Sequence, residues 1–342
     1  MENTFDLIVD GGNSAVKAVL IKDTKIIDQE IMPSLLRFTD DCDYVCGGAR
    51  VDDKPFVFGL DNLNRNNTIK ISKEPRGKID RLRQILGGVL STFSEHMPVG
   101  SHIRFYILTL QVSERQTIED AVKALETTVI DGIPQNYTCK LSKLLPEGFG
   151  CGVSASKVFP KEGEVVVFDI GGGTANLTTY RTSSSTPRRK TFEYQPSGIF
   201  PLQKFIASEL KYKTSNGVVD ENLLSMALQG NTYRMLTSYD GEDISNEVDK
   251  GIETWVNTEE MRQLILQIIA SLQQGKAVST CGGGWMITKV RDAIETVVLS
   301  NCPSDVKWNV SDDSAMLGVM GVANHILDER KAKKTRRTKA NV

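Results

Sequence analysis

Two glycine-rich turns with matching acidic residues are the parts of this sequence best suited to chemistry. The first turn is DGGNS at residues 10–14, and the second is DIGGGT at residues 169–174. Each turn follows an apolar stretch and precedes alternating apolar residues, which predicts a β-hairpin around each turn. Such a turn points several backbone N–H groups into one concavity, where an anion can bind. Phosphate is the anion that we expect.

Charged side chains next to the two turns extend this prediction. Asp10 and Asp169 end their strands in matching places, where a carboxylate can hold Mg²⁺ through water. Lys17, three residues beyond the first turn, can place an ammonium group beside the same anion. An ordinary glycine-rich hairpin is the alternative for the first turn alone. A chance pair of such turns is the alternative for the two together.

A third glycine cluster lies at residues 282–284, within the sequence STCGGGWMITKV, and separates two helical patterns. Because glycine has no side chain, the backbone here can approach a flat ring or a ribose closely. The N-terminus of the following helix would favour a phosphate nearby. A glycine triplet alone is weak support, but together with the two turns it completes a predicted nucleotide site.

The order of these motifs resembles the five-part signature of the superfamily that contains actin, the sugar kinases and the heat-shock chaperone ATPases. The motifs are DGGNS with Lys17, PEG at 146–148, DIGGGT, GGG at 282–284 and a small-residue helix at 315–318. Together they extend from residue 5 to about residue 327. The sequence is most similar to the bacterial actin-like proteins of the ParM type, the filament-forming ATPases of plasmid segregation. A chromosomal cytoskeletal relative of the CorM type is the alternative within the same group.

The resemblance implies a site for ATP and Mg²⁺, with GTP as an alternative nucleotide. The residues that it implies for nucleotide binding are Asp10, Gly12, Asn13, Ser14, Lys17, Gly171, Gly172, Gly173, Thr174, Gly282, Gly283 and Gly284. It implies that Asp10 and Asp169 hold the metal shell. Glu147 falls where relatives carry the polar residue that orients the attacking water, so Glu147 and Asp169 are the implied catalytic residues. A surface turn is the alternative for Glu147.

The resemblance also implies the α/β, two-lobed actin-like ATPase fold, built from duplicated ribonuclease-H-like domains with inserted subdomains. Domain I would span residues 1–162, with an insert at about 32–100. Domain II would span residues 163–327, with an insert at about 198–276 that reads as helical, and the final helix would return to domain I. Within the second insert, Thr258 is the predicted N-cap of a helix. A plain amphipathic C-terminal helix is the alternative for the last motif.

The composition is ordinary for a globular chain with two domains. The chain has 342 residues, of which 40% are hydrophobic and 25% are charged. No apolar run reaches the length of a membrane span, and the early acids Glu2 and Asp6 argue against a signal peptide. We therefore do not expect an integral membrane protein. The six cysteines lack the spacing of a disulfide framework, which indicates free thiols and a cytoplasmic location.

Positive charge is concentrated at the C-terminus. Residues 330–342 contain seven Lys or Arg and no acid, which leaves −9 on the rest of a chain whose net charge is −2. We predict a basic flexible tail over residues 328–342. Such a tail would attract DNA, an anionic membrane or an acidic adaptor protein. A tail that serves only solubility is the alternative.

The function that the resemblance implies is a nucleotide-dependent, filament-forming bacterial ATPase of the cytoskeletal or DNA-segregation kind. Hydrolysis of Mg-ATP between the two domains would control the stability of the polymer. The expected partners are further copies of the same chain and an adaptor protein. A non-polymerising ATP-dependent scaffold is one alternative. A small-molecule kinase of the same fold is another, but it would need a base aimed at a substrate hydroxyl and a recognition sequence that we do not find.

Overall fold

A computed structural model of the chain describes residues 3–63, 65–74, 76–109, 112–184, 186–210, 219–235 and 241–340. Parts of three predicted segments lie outside these residues. They are 64 and 75 of the first insert, 211–218 and 236–240 of the second insert, and 341–342 of the predicted tail. The chain divides into two compact units: unit 1 is Met1–Gly150 with Gly318–Val342, and unit 2 is Cys151–Leu317.

Helices and strands alternate along the described chain, as expected for an α/β protein. The strands are β1 (Thr4–Gly11), β2 (Ala15–Lys22), β3 (Lys25–Pro33), β4 (Leu35–Phe38), β5 (Gly48–Val51), β6 (Lys54–Phe58), β7 (Ile69–Lys70), β8 (His102–Thr109), β9 (Val129–Ile130), β10 (Ile133–Pro134), β11 (Thr138–Pro146), β12 (Glu164–Ile170), β13 (Ala175–Arg181), β14 (Arg188–Gln195), β15 (Arg234–Met235), β16 (Glu242–Asp243), β17 (Ala277–Cys281) and β18 (Trp308–Asn309). The α-helices are α1 (Gly77–Asp80), α2 (Leu82–Thr92), α3 (Arg115–Ala124), α4 (Phe149–Val158), α5 (Ile199–Leu210), α6 (Glu221–Gln229), α7 (Ser245–Val256), α8 (Glu259–Gln273), α9 (Thr288–Leu299) and α10 (Leu317–Ala340).

The main sheet of unit 1 has the strand order β11-β8-β1-β2-β3. Strands β1, β2 and β3 form two successive antiparallel hairpins, whereas β8 and β11 run parallel to β1. Strand β1 is apolar because it is central in the sheet, and Leu7 and Ile8 on its two faces are fully buried. The sheet therefore holds the DGGNS turn at the end of its central, largely buried strand.

Unit 2 repeats this arrangement with the strand order β14-β13-β12-β17-β18. Strands β12, β13 and β14 are successive antiparallel neighbours, and β17 and β18 run parallel to the central strands. The same order and the same directions occur in both units. The predicted α/β fold with a duplicated core is therefore confirmed, and each copy carries one glycine-rich turn after its first strand.

The two inserts differ in structure. In unit 1, a second sheet with the order β10-β9-β5-β6-β4-β7 packs with helix α2. This sheet also contains β9 and β10, at residues 129–134, which lie outside the predicted insert of 32–100. In unit 2, the described part of residues 198–276 consists of α5 to α8 and the short β15–β16 pair. Thr258 caps α8 as expected, since its side chain accepts a hydrogen bond from the Met261 amide at 3.5 Å.

The C-terminal segment differs from the predicted flexible tail. Helix α10 continues without a break from Leu317 to Ala340, so the described residues 328–340 are helical.

The division between units 1 and 2 falls at Gly150, whereas the sequence predicted a boundary at residue 162. Within unit 1, a Cβ atom added to Gly150 would lie 1.6 Å from the carbonyl oxygen of Gly318. The start of α4 and the start of α10 therefore touch through their backbones.

A buried carboxylate on the first strand fixes the basic end of α10. Asp6 is only 1% exposed, and one of its oxygens accepts a hydrogen bond from Arg104 Nε at 2.7 Å. The other oxygen accepts a hydrogen bond from the Arg330 guanidinium. A carboxylate removed from water is stable only when it is paired. Arg330, which the sequence assigned to a mobile tail, is therefore an anchoring residue of unit 1.

Two truncations test this anchor. Deletion of residues 331–342 keeps Arg330, whereas deletion of residues 330–342 leaves Asp6 with Arg104 alone. We expect the longer deletion to lower the free energy of unfolding by about 1–3 kcal/mol more than the shorter one, because a buried charge loses a partner. Urea unfolding followed by circular dichroism measures the difference. Equal stability of the two truncated chains would show that Arg330 adds nothing beyond Arg104.

No helix in the described part of the chain is both long and apolar enough to cross a membrane.

Candidate functional site

The first glycine-rich turn is held by hydrogen bonds to its own backbone and to Ser34. The Gly12 amide donates to the carbonyl of Asp10 at 3.0 Å. Ser34, which is buried, donates from its hydroxyl to the Gly12 carbonyl at 2.8 Å and from its amide to the Ser14 carbonyl at 3.0 Å. A Cβ atom at Gly12 would lie 2.4 Å from the Ala15 carbonyl oxygen, so glycine is required there. The turn, including Asn13, therefore has a defined shape.

Asp10 and Lys17 face each other across this hairpin. The two residues are paired in the β1–β2 register, so their side chains lie on one face of the sheet. The distance from Lys17 Nζ to Asp10 Oδ2 is 4.0 Å, and both side chains are largely buried. The hairpin therefore brings these two charges close together. Their roles toward a nucleotide stay predictions.

Glu147 lies just after β11 and forms an ion pair that the sequence did not indicate. Lys78 Nζ is 3.0 Å from Glu147 Oε1, and both side chains are about three-quarters buried. The Glu147 amide donates to the carbonyl of Thr109 at 3.3 Å, which fixes the start of the turn. Because Lys78 lies on α1 in the first insert, no local pattern could have shown this pairing.

The ionisation of Glu147 depends on the charges of the first turn. Burial raises the pKa of Glu147, the Lys78 ammonium partly offsets this increase, and the Asp10 carboxylate adds to it. Lys17 lowers the pKa slightly. Unit 1 therefore brings Asp10, Lys17, Glu147 and Lys78 into one electrostatically coupled cluster, which we call the unit 1 charge cluster.

The second glycine-rich turn is fastened to the start of α5. Within the turn, the Gly171 amide donates to the Thr174 carbonyl at 2.8 Å. The amides of Ile199 and Phe200 donate to the carbonyls of Gly171 and Gly172 at 3.1 and 2.7 Å. Gly173 completes the turn. A helix start therefore supports the loop that the sequence assigned to phosphate binding.

Gly198 is a required residue that the sequence analysis missed. A Cβ atom at this position would lie 2.4 Å from the Thr174 amide nitrogen and 2.5 Å from the Gly171 carbonyl oxygen. Both atoms belong to the backbone and cannot move aside cheaply. The signal in the sequence was the dipeptide Ser197-Gly198 just before an apolar helix, which is typical of a loop but does not identify what the loop contacts.

The third glycine cluster packs directly against Asp169 and the strand that carries it. Gly282 has φ of +94°, and a Cβ atom there would lie 2.2 Å from Asp169 Oδ1. A Cβ atom at Gly284 would lie 2.3 Å from Ile170 Cγ2, whereas one at Gly283 would meet nothing within 4 Å. Trp285 donates from Nε1 to the Phe168 carbonyl at 3.2 Å. Unit 2 thus brings the second and third glycine loops together around Asp169.

Ser314, the residue just before the fifth motif, contacts the third glycine cluster. The Gly282 amide donates to the Ser314 carbonyl at 2.9 Å. The hydroxyl groups of Ser314 and Thr280 are buried, and they have no hydrogen-bond partner among the described residues. A buried hydroxyl without a partner is costly, so these two groups beside a glycine loop suit a polar ligand or water.

The residues in each unit fit the chemistry of a nucleotide with Mg²⁺. Asp10 in unit 1 and Asp169 in unit 2 offer carboxylate oxygens, which are the ligands that Mg²⁺ prefers. Each lies next to a turn of small residues whose amides can face a phosphate. The glycines of the third cluster leave room for a ring or ribose, since Gly283 faces open space.

Comparisons with known proteins show relatives by structure and not by sequence. No protein-family model matches this sequence, and no curated protein matches it. Solved structures of a ParM, an MreB5, a MamK and an archaeal actin homologue do match over nearly the whole chain, so this chain shares the fold of these actin-like proteins. The ParM-type resemblance found in the sequence is confirmed at the level of fold, since a ParM is among the matches.

Three of these structures illustrate the likeness. A non-polymerisable quadruple mutant of pCBH ParM has 13% identity and a TM-score of 0.66, and covers 94% of this chain and 98% of its own. MreB5 of Spiroplasma citri bound to ADP has 12% identity and a TM-score of 0.63, and covers 98% of this chain and 99% of its own. A MamK double helical filament has 13% identity and a TM-score of 0.64, and covers 94% and 98%. At these identities the likeness establishes the fold alone.

Proposed function

We propose that this chain binds Mg-ATP, hydrolyses it, and uses the hydrolysis to control its assembly into filaments. The observation that carries the proposal is the repeated hairpin. The same sheet order occurs in both units, and each copy ends its first strand in an aspartate followed by a glycine-rich turn. Each such turn can direct several backbone amides at a phosphate.

The comparisons support both halves of this proposal. MreB5 carries ADP in its structure, which favours a nucleotide as the ligand of this fold. MamK forms a double helical filament, and the ParM is described by its failure to polymerise, which favours self-assembly. We transfer the nucleotide and the filament to this chain as proposals, because its identity to these proteins is only 12–13%.

In the proposed site, each unit contributes its own turn to the nucleotide. The amides of residues 12–14 and 171–174 would bind phosphate oxygens, and Lys17 would add a positive charge next to them. Asp10 and Asp169 would hold Mg²⁺, which neutralises charge on the phosphates when it is bound. The cluster Gly282–Gly284 would lie against the base or ribose. The proposed nucleotide-binding residues do not include any that would distinguish ATP from GTP.

Glu147 is the proposed residue that orients the attacking water. As a carboxylate it can accept a hydrogen bond from water and hold it for in-line attack. Lys78 favours the ionised form of this carboxylate, because its ammonium offsets part of the effect of burial on the Glu147 pKa. Lys78 is therefore a positioning residue in the proposed site.

The basic end of α10 is the proposed attachment point for an adaptor protein with an acidic surface. Seven Lys and Arg residues lie at 330–339. Because Arg330 is anchored to Asp6, this segment extends a fixed helix. An attraction of this kind weakens as salt rises. A cytoplasmic location is also part of the proposal, since all six cysteines are free thiols.

One experiment tests the proposed function as a whole. Purified protein is incubated with Mg-ATP, with Mg-ADP or without nucleotide, and is then pelleted and imaged by electron microscopy while phosphate release is recorded. We expect filaments with ATP, fewer with ADP, and phosphate release that follows assembly. Binding of nucleotide without any polymer would favour a scaffold instead. Absence of nucleotide binding would contradict the proposal.

A further inference from the structure

Two long strands lie at the edges of the main sheets. Strand β3 ends the sheet of unit 1, and strand β14 ends the sheet of unit 2. Among the described residues, neither has a strand on its outer side. Large apolar side chains are exposed on both, with Ile27 and Ile31 on β3 at 39% and 42% and Phe192 and Tyr194 on β14 at 39% and 49%. An exposed edge of this length and character is suited to pairing with another strand.

Two acids of β3 accept hydrogen bonds from backbone amides of the same strand. The Gln29 amide donates to Asp28 Oδ1 at 2.8 Å instead of to a neighbouring strand. Burial and the neighbouring Asp28 carboxylate raise the pKa of Glu30, and a hydrogen bond from the Ile31 backbone partly offsets this increase. Glu30 has no cationic partner among the described residues. Its environment would improve if a positive charge were brought to this edge.

Strand β14 carries the opposite charge. It begins with Arg188, Arg189 and Lys190, and all three are exposed. Lys190 pairs with Glu164 at 2.6 Å, and the Arg189 guanidinium lies 5.1 Å from the centre of the Phe192 ring. In the described part of the chain, Arg188 has no acidic partner. One edge therefore has an unpaired acid and the other an unpaired base.

The two sequences match in one antiparallel register. In this register Lys25 lies opposite Glu193, Asp28 opposite Lys190, and Glu30 opposite Arg188. Ile26 lies opposite Phe192, and the irregularities in β3 and β14 place this pair on the other face of the sheet from Glu30 and Arg188. Directly opposed residues on one face of an antiparallel pair contact each other, and opposite charges there are stabilising. A strand β14 paired with its own copy offers only one acid, Glu193, for its three cations.

We propose that β3 of one copy of this chain pairs antiparallel with β14 of another copy, in the register that places Glu30 opposite Arg188. The inference rests on the proposed function in one respect, namely that the chain assembles with itself. Because the two edges are different surfaces, the contact is heterologous, and repetition of it produces an open filament unless the rotation closes a ring. The main sheets of successive copies would then be joined edge to edge.

Charge reversal of Glu30 and Arg188, neither of which has an oppositely charged partner among the described residues, tests this contact. The single variants are Glu30→Arg and Arg188→Glu, and the double variant carries both. We expect each single variant to raise the critical concentration for assembly at least about fivefold, since attraction becomes repulsion. The double variant should assemble like the original chain. An equal mixture of the two single variants should also assemble, because alternating copies restore every pair.

Matched controls and a separate nucleotide assay make each outcome decisive. The controls Glu253→Arg and Lys250→Glu change exposed residues of α7, on neither edge. Binding of a fluorescent ATP analogue is measured for every variant. If the original chain assembles, and the single variants assemble no worse than the control variants, the edge pairing is wrong and the proposed function stands. The edge pairing is also wrong if the single variants do not assemble and neither their mixture nor the double variant restores assembly. An original chain that binds nucleotide but never assembles overturns both the filament proposal and this contact.

Discussion

Replacement of Asp169 by asparagine is expected to reduce ATP hydrolysis at least about a hundredfold. The asparagine side chain has nearly the same shape, so the close packing against Gly282 is retained. It lacks the negative charge that would hold Mg²⁺ beside the phosphates. Phosphate release at saturating nucleotide measures the rate, and titration with a fluorescent ATP analogue with and without Mg²⁺ measures binding. Mg²⁺ should raise the affinity of the variant for the ATP analogue much less than it raises that of the original chain.

A matched substitution controls for the loss of one negative charge in unit 2. Asp292→Asn changes an exposed residue of α9 that lies outside the two glycine loops. We expect this control to hydrolyse ATP at the original rate. If Asp169→Asn keeps full turnover and an unchanged response to Mg²⁺, Asp169 is not a metal-holding residue, and the proposed site in unit 2 is wrong.

Replacement of Glu147 by glutamine is expected to slow hydrolysis by about a hundredfold or more while nucleotide affinity changes little. The amide can still fill the space but cannot accept a proton or hold water as a carboxylate does. Filaments formed with ATP should therefore persist longer than those of the original chain. Single-turnover phosphate release separates this effect from binding. A normal rate in Glu147→Gln would remove Glu147 from the proposed mechanism.

The ion pair between Lys78 and Glu147 adds a pH dependence to the same prediction. Hydrolysis needs the Glu147 carboxylate ionised, so the rate falls as pH drops through its pKa. Burial has raised this pKa, and Lys78 offsets part of the increase. Lys78→Met removes the offset, so the acidic limb of the rate profile should move to higher pH. Lys140→Met, which changes an exposed residue of β11, is the control. An acidic limb that does not move would show that Lys78 does not tune Glu147.

The hairpins and the duplication could be predicted from the sequence because their causes are local. An aspartate, a run of glycines and an alternating strand specify a turn within about ten residues, and the same pattern occurs twice. The N-cap at Thr258 is local in the same way. The fold is confirmed by structure, whereas the roles of Asp10, Glu147 and Asp169 stay predictions because no ligand chemistry has been measured.

The contacts that the sequence did not predict join residues far apart in the chain. Lys78 lies within the first insert, 69 residues before Glu147, and Gly198 follows a loop that only the folded chain brings to Thr174. Strands β9 and β10 join the second sheet of unit 1 from outside its main segment. Such pairings depend on tertiary packing, which overrides local propensity.

The basic C-terminal segment resembled a disordered tail because a run of positive charge usually has no place in a core. The overlooked signal was Asp6, an acid within an apolar strand. A strand that is buried on both faces cannot keep a lone carboxylate, so Asp6 required a cation from somewhere else in the chain. Nothing in the sequence distinguished Arg104 and Arg330, the two partners of Asp6, from the other residues among its 41 Lys and Arg.

The anchoring of Asp6 by Arg330 has a consequence for the order in which the protein forms during synthesis. Unit 2 is one continuous segment, Cys151–Leu317, whereas unit 1 needs its last helix to be complete. The buried carboxylate of the first strand is made 324 residues before the guanidinium that neutralises it. Domains fold as units during translation. Unit 2 lies between the two segments of unit 1 in the sequence, so it can reach its native state before the last helix of unit 1 has been made.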